Sequence, residues 1–502
     1  MEVHLPSLPI LFSLLIFLFM VIKTVIKTTS SSSKLPPGPW KLPILGNAHQ
    51  LFGSLIHQKL RDIATKHGPL MHLKIGQVPT LIVSSPEYAK EVMRTHDMVF
   101  ASRPMVLFSQ IMLYDCTDLV FAPYGEYWRQ LRKIFMQELL STARVHAFKP
   151  IREEEVSSLV KWIGSNVGSD INLTERINIL MYSIVSRAAC SKTSLNNQEI
   201  VSLVAEAVEV SLGFELADLF PSVEFFSRIS RTRSMLLKLQ QRSAKIFDAI
   251  IKEHQEKESS ESGKEDDLLD VLLNFHNNNN NGGDHGFSLT SDNLKAIIWD
   301  IFAAGIDTSS TIIDWAMAEL IKHSHVMRKV QDEVREVFNK IGSTDEEGIN
   351  EMKYLKIVVK ETMRLHPPLP LLIPRESQDK CEINGYVIPA KTRTLVNVWA
   401  IGRDPNYWTE AECFIPERFI DSSIDSKGND FEYIPFGAGR RICAGMAFGL
   451  INVEYPLALL LYHFDWKLPN GMRHEDLDMS ESFGTTLKGK KALHLIPTAY
   501  DH

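Results

Sequence analysis

The chain has 502 residues, with 54 Lys and Arg against 61 Asp and Glu, a formal charge of −7 that excludes the basic excess of a nucleic-acid binder. At 44% hydrophobic, 23% charged and 9% aromatic, it has the make-up of a globular protein, not of a collagen, a coiled coil or a disordered chain. The five cysteines (Cys116, Cys190, Cys381, Cys413 and Cys443) are scattered and odd in number, unlike a disulfide framework, which fits a reducing compartment.

The first element in chain order is an apolar run from Leu5 to Ile26, about 22 residues and long enough to cross a bilayer. Glu2 and His4 precede it where a cleaved signal peptide would carry positive charge, so the expectation is a retained membrane anchor over 1–27. Lys23, Lys27 and Lys34 on its C-terminal side place the rest of the chain on the cytosolic face, where the sequon Asn172-Leu173-Thr174 stays unglycosylated. The polar run Thr28–Ser33 and the segment Leu35-Pro36-Pro37-Gly38-Pro39 predict a stiff hinge over 28–39, leaving 40–502 as one body.

Short apolar runs split by Gly76 and Pro79 predict a β-hairpin over Leu70–Ser84, and Ile383–Ala400 repeats the style with Gly385 and Pro389. Most of the remainder is predicted helical: Ile246–Glu256, Leu294–Lys322 and Tyr354–Leu365 carry apolar residues three and four apart. Asn274–Gly286, with its unbroken run Asn277–Asn281, has too little apolar surface to order itself. No Gly-x-Gly-x-x-Gly fingerprint is present, so no nicotinamide or flavin module is expected in the chain.

Three patterns carry chemistry. In the long predicted helix, Ile301, Ala304, Gly305 and Thr308 share one face, and Gly305 is expected to leave room for a small ligand. Asp307 beside Thr308 puts an acid next to an alcohol, a pair able to pass protons; the plain alternative is a Ser/Thr face bonding back to its own carbonyls. Glu361 and Arg364 stand three apart, as do Glu91/Arg94 and Glu126/Arg129, so spacing alone does not single them out. Cys443 lies in Phe436-Gly437-Ala438-Gly439-Arg440-Arg441-Ile442-Cys443-Ala444-Gly445, a glycine-rich turn before an apolar segment read as a helix to at least Pro456. Backbone N–H groups at such a helix start favour a thiolate, fit to bind a metal or attack a substrate; a lone cysteine near glycine is otherwise buried structure.

That last stretch fills every fixed position of Phe-x-x-Gly-x-Arg-x-Cys-x-Gly, and with it the chain resembles the cytochrome P450 family. The resemblance implies a mainly α fold, a helical heme domain with small β-sheets, plus the N-terminal transmembrane helix. It implies heme b with Cys443 as the axial ligand of the iron. Ala304-Gly305-Ile306-Asp307-Thr308 matches the family's oxygen-activation motif. Glu361-Thr362-Met363-Arg364 matches Glu-x-x-Arg, a structural ion pair completed by Arg418 in Pro416-Glu417-Arg418-Phe419. Trp128 with Arg132, Arg375 in Pro374-Arg375-Glu376, and Arg441 resemble the family's heme propionate clamp, with Phe436 and Gly445 against the heme.

By the same resemblance, NADPH electrons arrive through a separate membrane reductase, O2 is bound and cleaved with protons passed by Asp307 and Thr308, and one oxygen atom enters a C–H bond. Arg129 and Lys133 are a solvated helix face or part of the reductase contact. The substrate pocket falls on Val106, Leu107, Ile111, Met112, Ile301, Ala304, Leu369, Leu372, Ile373 and Phe483, almost all apolar, which suits a hydrocarbon-like ligand. Two stretches, Phe214–Pro221 and Leu461–Pro469, resemble the plant endoplasmic-reticulum class of the family, which includes terpenoid hydroxylases. The expectation is a single-pass endoplasmic-reticulum enzyme hydroxylating a sesquiterpene or diterpene. The alternatives are an alkaloid or phenolic hydroxylase, a reductase-independent isomerase or dehydratase, and a silent heme-binding protein. His323-Ser324-His325 lacks zinc-ligand spacing, and Glu153–Glu155 reads as a solvated charge run.

Overall fold

The computed structural model describes residues 34–500 apart from 52–54, 192–196, 210, 212–213, 259–266, 278–287 and 483. The expected anchor over 1–27, the hinge up to residue 33, most of the asparagine run and Phe483 lie outside the described residues. The described part of the proline-rich segment is no free linker. Pro36 and Pro39 are buried, Val387 N donates to Lys34 O at 2.8 Å, and His72 N donates to Pro37 O at 2.9 Å, so this stretch is bonded to the hairpin that holds Val387 and to the sheet that holds His72.

That sheet starts with β1 (Leu70–Ile75) and β2 (Val78–Val83), antiparallel with Leu70 opposite Val83, as the hairpin pattern predicts. The second predicted hairpin divides. β5 (Cys381–Ile383) and β6 (Tyr386–Ile388) pair around Asn384-Gly385, while β7 (Arg393–Val396) leaves them to lie parallel to β2. β4 (Arg375–Glu376) pairs with β7 at the far edge, which gives the order β1-β2-β7-β4 and carries Arg375 into the interior. β3 (Ile171–Asn172), β8 (Phe464–Lys467) and β9 (His494–Ala499) make a second small sheet in the order β3-β9-β8.

Helices fill the rest. Those that place the site are α1 (Ile56–His67), α2 (Leu107–Met112), α3 (Glu126–Ile134), α4 (Leu173–Cys190), α5 (Asn197–Glu209), α6 (Ser291–Lys322), α7 (Lys353–Leu365) and α8 (Met446–His463). α6 begins at a reciprocal cap: Asn293 N donates to Thr290 Oγ1 at 3.2 Å and Thr290 N to Asn293 Oδ1 at 2.9 Å, which satisfies two of the N–H groups a helix start leaves open. With 32 residues it runs roughly 48 Å through the centre, packed on α4, α7 and α8. Among the described residues it is the one helix long and apolar enough to cross a membrane, yet 72% of that window is buried inside the molecule, which makes it the core helix. α8 runs past Pro456 to His463; burial of Leu457 to Leu461 outweighs a helix-interior proline, which costs about 3 kcal/mol.

Candidate functional site

Cys443 sits between a one-turn 3₁₀ segment, Gly439–Arg441, and α8. The turn closes through Cys443 N donating to Phe436 O at 3.0 Å. Its backbone demands glycine at Gly439: φ is +68°, and a Cβ there would stand 2.1 Å from Met93 O. Gly445 is different. Its φ is −90° and a Cβ would meet only Leu140 Cδ1, at 4.0 Å, so the surrounding protein leaves open the space beside the cysteine that a flat ligand would fill. The Cys443 side chain keeps accessible surface while lying deep in the molecule, so it faces an internal cleft and not bulk solvent. Burial pushes its thiol up, against the Gly445 N–H and the charge of Arg132, which pull it down. Cys116 and Cys190 are buried, their thiols likewise pushed up by burial.

Near the cysteine, four guanidinium groups crowd together. Burial lowers all of them, Arg441 to about 9, Arg375 to about 10 and Arg103 well below the ordinary value, and mutual repulsion adds to it: Arg375 and Arg132 act on Arg441, and Arg441 and Arg375 on Arg103. Arg375 donates to Ala438 O at 2.7 Å and lies 3.5 Å from Asp97 Oδ1. Arg441 donates to Ala101 O (2.6 Å), Leu119 O (3.3 Å) and Ala122 O (2.6 Å), leaving two of its five N–H groups. Arg132 has no hydrogen-bond or ion-pair partner among the described residues. Trp128 is already engaged: its Nε1 donates to Leu119 O at 3.0 Å and its ring lies 4.3 Å from the Arg441 guanidinium, so here it holds the arginine.

Arg103 belongs to this cluster although no motif in the sequence marks it. It donates to Val120 O at 3.1 Å, Ile373 O at 2.6 Å and Pro374 O at 3.0 Å, and nothing local marked it beyond its place beside Pro104. Asp118 and Asp300 are likewise unmarked in the sequence. Asp300 Oδ2 accepts from Leu119 N (2.8 Å) and Val120 N (3.2 Å), and Asp118 Oδ2 from Phe121 N (2.7 Å), which turns the carbonyls of that loop toward Trp128, Arg103 and Arg441. Burial raises both carboxyl groups, Asp118 to about 6 and Asp300 well above the ordinary range, and the charge of Asp118 acts on Arg103 and Arg441 against their burial.

On α6, the shared face appears as expected: Ile301, Gly305 and Thr308 are half-buried and Ala304 is exposed on an otherwise buried helix. The role expected of Gly305 needs correction. A Cβ there would stand 2.8 Å from Val185 Cγ2 on α4, so the missing side chain lets two helices approach. Gly305→Ala is expected to cost about 1–3 kcal/mol through overpacking, with Val185→Ala recovering most of it in the double variant; thermal denaturation of the four proteins checks this. The back-bonding alternative is also realised: Thr308 Oγ1 donates to Ala304 O at 2.6 Å, and Ser310 and Thr311 hydroxyls to Asp307 O. Asp307 is buried, with Lys488 Nζ 2.5 Å from Oδ1, a partner the sequence did not disclose.

Glu361, Arg364 and Arg418 come together. Arg364 grips both Glu361 oxygens at 2.8 Å, Arg418 Nε reaches Oε1 at 3.0 Å, and Ile415 N donates to it at 2.8 Å. The expected pocket residues divide. Ile111, Leu369, Leu372 and Ile373 keep accessible surface together with Ile301 and Ala304. Val106 and Met112, each 1% exposed, and Leu107 at 4% pack in the main apolar core, and Leu107 also edges a cleft of about 1000 Å³. Among the acidic run, Glu154 and Glu155 both pair with Arg187.

A sulfur donor facing an internal cleft, open space at Gly445 and a cluster of buried guanidinium groups, of which Arg132 has no partner among the described residues, fit a flat, doubly anionic metal macrocycle, the ligand of heme-thiolate proteins. The chain belongs to the cytochrome P450 family, whose model matches residues 36–495. It is a monooxygenase of that family, binds heme, and draws NADPH electrons through a reductase. It is 50% identical to tabersonine 16-hydroxylase 1 of Catharanthus roseus, over 97% of each chain, and 47% identical to premnaspirodiene oxygenase of Hyoscyamus muticus, over 98% of each. The fold matches a solved zebra fish cytochrome P450 with abiraterone, TM-score 0.74 and 24% identity over 89% of this chain and 99% of that one.

Proposed function

We propose that the protein hydroxylates a hydrophobic terpenoid, a sesquiterpene or diterpene, held on an apolar surface beside α6. The observation that carries this reading is the character of the expected pocket side chains that keep accessible surface: Ile111, Ile301, Ala304, Leu369, Leu372 and Ile373 have no charge and no hydrogen-bonding group. Likeness to premnaspirodiene oxygenase supports it. Likeness to tabersonine 16-hydroxylase 1 favours a second reading, an alkaloid substrate. A reductase-independent isomerase is disfavoured because Asp307 and Thr308, which serve oxygen activation, are both present. The anchor expected over 1–27 would hold the body at the cytosolic face of the endoplasmic reticulum, where the reductase partner resides.

Bound heme supplies the activation of O2 and its transfer into a C–H bond. Cys443 gives the sulfur ligand, with the Gly445 N–H directed at it, and Phe436 packs beside the turn. Arg132, Arg375 and Arg441 would hold the heme carboxylates, with Trp128 and Arg103 setting the cluster's shape. Thr308 leaves its bond to Ala304 O to pass a proton, and Asp307 resupplies it from the solvent side.

Microsomes containing this protein and a plant reductase, given NADPH and a panel of sesquiterpene, diterpene and alkaloid scaffolds, provide the test, with products followed by mass spectrometry. A terpenoid gaining one oxygen only with NADPH supports the reading; oxidation of alkaloids alone overturns it. With the substrate so found, Thr308→Ala is expected to lower product per NADPH by about 10²-fold with peroxide released in its place, and Thr308→Ser to restore most of it. Full coupling in the alanine variant would remove the proton-passing role.

A further inference from the structure

One charged group at the site, Lys488, has no part in the chemistry above. Glu481 and Gly489 form a bridge and Ser482 N donates to Lys488 O at 2.8 Å, which makes Lys488 part of a turn. From this turn Lys488 Nζ reaches Asp307 Oδ1 at 2.5 Å, while Asp307 Oδ2 is buried with no hydrogen-bond partner among the described residues. Seven residues along α6, on the same face, Asp314 accepts from Thr174 Oγ1 of α4 at 2.7 Å. Burial pushes the Asp314 carboxyl up to about 6, against the Thr174 bond and the charge of Lys488, which pull it down. The groups facing Asp314 are thus Thr174 from α4 and Lys488 from the turn.

A lysine on a long stem makes a poor fixed point when it is free at the surface. This one is held by what surrounds it. Leu487 N donates to Pro368 O at 2.9 Å, and Trp315 Nε1, next to Asp314, donates to Leu487 O at 2.5 Å. Trp315 is itself stacked on His366, ring centroids 4.0 Å apart, and His366 Nε2 lies 2.7 Å from Glu319 Oε1. The base of the turn is tied to α1 and to Trp399: Glu481 accepts from His57 (2.8 Å) and Gln58 (2.7 Å) of α1 and from Trp399 (2.9 Å). The Lys488 side chain remains 38% exposed, so its ammonium stands between the buried carboxylate and solvent.

We propose that Lys488 is a positioning residue for proton delivery: it holds Asp307 by Oδ1 and so assigns the free oxygen, Oδ2, to hand the proton on toward Thr308. The step moves one proton and no electrons: solvent protonates Asp307 on Oδ2, Oδ2 gives that proton to Thr308 Oγ1 as the hydroxyl passes its own to the oxygen substrate, and the carboxylate is left paired with Lys488. This rests on the monooxygenase roles proposed for Asp307 and Thr308.

The test uses the full-length heme-loaded protein with Lys488→Met and Lys488→Arg, each first shown to keep the wild-type reduced carbon-monoxide spectrum. One readout is independent of turnover: the infrared C=O band of Asp314, assigned by its loss in Asp314→Asn, should titrate near pH 6 in the wild type, at higher pH in Lys488→Met, and near the wild-type value in Lys488→Arg. The other is product per NADPH, which should fall several-fold in Lys488→Met with a larger solvent isotope effect and return in Lys488→Arg. If either change is missing in Lys488→Met, the proposal is overturned. If Thr308→Ala also stays fully coupled, it is the relay that fails, and the infrared result still reports separately on whether Lys488 reaches the α6 carboxylates.

Discussion

Cys443→Ala protein is expected to fold, to lose the thiolate signature from its reduced carbon-monoxide spectrum, and to fall below detection in NADPH-dependent oxygenation. Folding survives because the turn is closed by backbone, Cys443 N to Phe436 O, and by glycine at Gly439, neither of which needs the sulfur. The Cys443 side chain is also no part of the apolar core, so its removal opens no core cavity. Function is lost because no other cysteine can take its place: Cys116 and Cys190 are buried elsewhere, and Cys381 and Cys413 lie on other segments. Electronic push from a thiolate onto iron is what favours O–O cleavage, and alanine supplies none. Spectra and product analysis on the same preparation check both halves, and oxygenation surviving in this variant would falsify the ligand assignment.

Glu361→Gln is expected to be far more damaging to the fold than its one-atom change suggests. The carboxylate takes four hydrogen bonds, two from Arg364 and one each from Arg418 and Ile415 N, with the Glu361 and Arg364 side chains fully buried. All five N–H groups of Arg364 are used: Nε and one of Nη2 on Glu361, the rest on Gly402 O, Ala411 O and Cys413 O. Neutralising the glutamate strands that guanidinium in the interior, which costs about 3–5 kcal/mol. That is a large share of a stability of about 5–15 kcal/mol. The expected outcome is a strongly lowered Tm and little heme incorporated, read by thermal denaturation and carbon-monoxide binding. Arg364→Lys should fail in the same way, since an ammonium has three donors for five acceptor contacts. Arg418→Lys should be milder, because the Arg418 side chain is 10% exposed. A Glu361→Gln protein with wild-type Tm would show that the trio is not what holds this region.

These variants separate two kinds of information in the chain. Glycine at the Cys443 turn, the apolar stretch behind it, the hairpin over Leu70–Ser84 and the long helix through Thr308 were legible because each is a short-range pattern: a backbone angle only glycine accepts, an alternation, a repeat of three and four. Glu361 and Arg364 were legible only through their neighbours in the chain, since the same spacing occurs where it means nothing. The side on which a residue is covered was not legible, because coverage comes from segments far away in sequence. Val106 and Met112 are as apolar as Ile111, yet the main core takes the first two and leaves the third accessible. Pro456 marks a helix end by local rules, and packing carries α8 past it.

By itself, then, the sequence determined the class of this protein, through a contiguous cysteine turn whose residue types each answer a local physical demand. Only the tertiary structure decided that Gly305 serves the approach of Val185, that Arg103 joins the cationic cluster, and that Asp307 is held by a lysine 181 positions further along the chain. The physical reason is the same in each case. Sterics and hydrogen bonding between near neighbours act within a few residues and leave their mark in the order of residues, whereas burial and ion pairing depend on which distant surfaces meet once the chain has closed on its core.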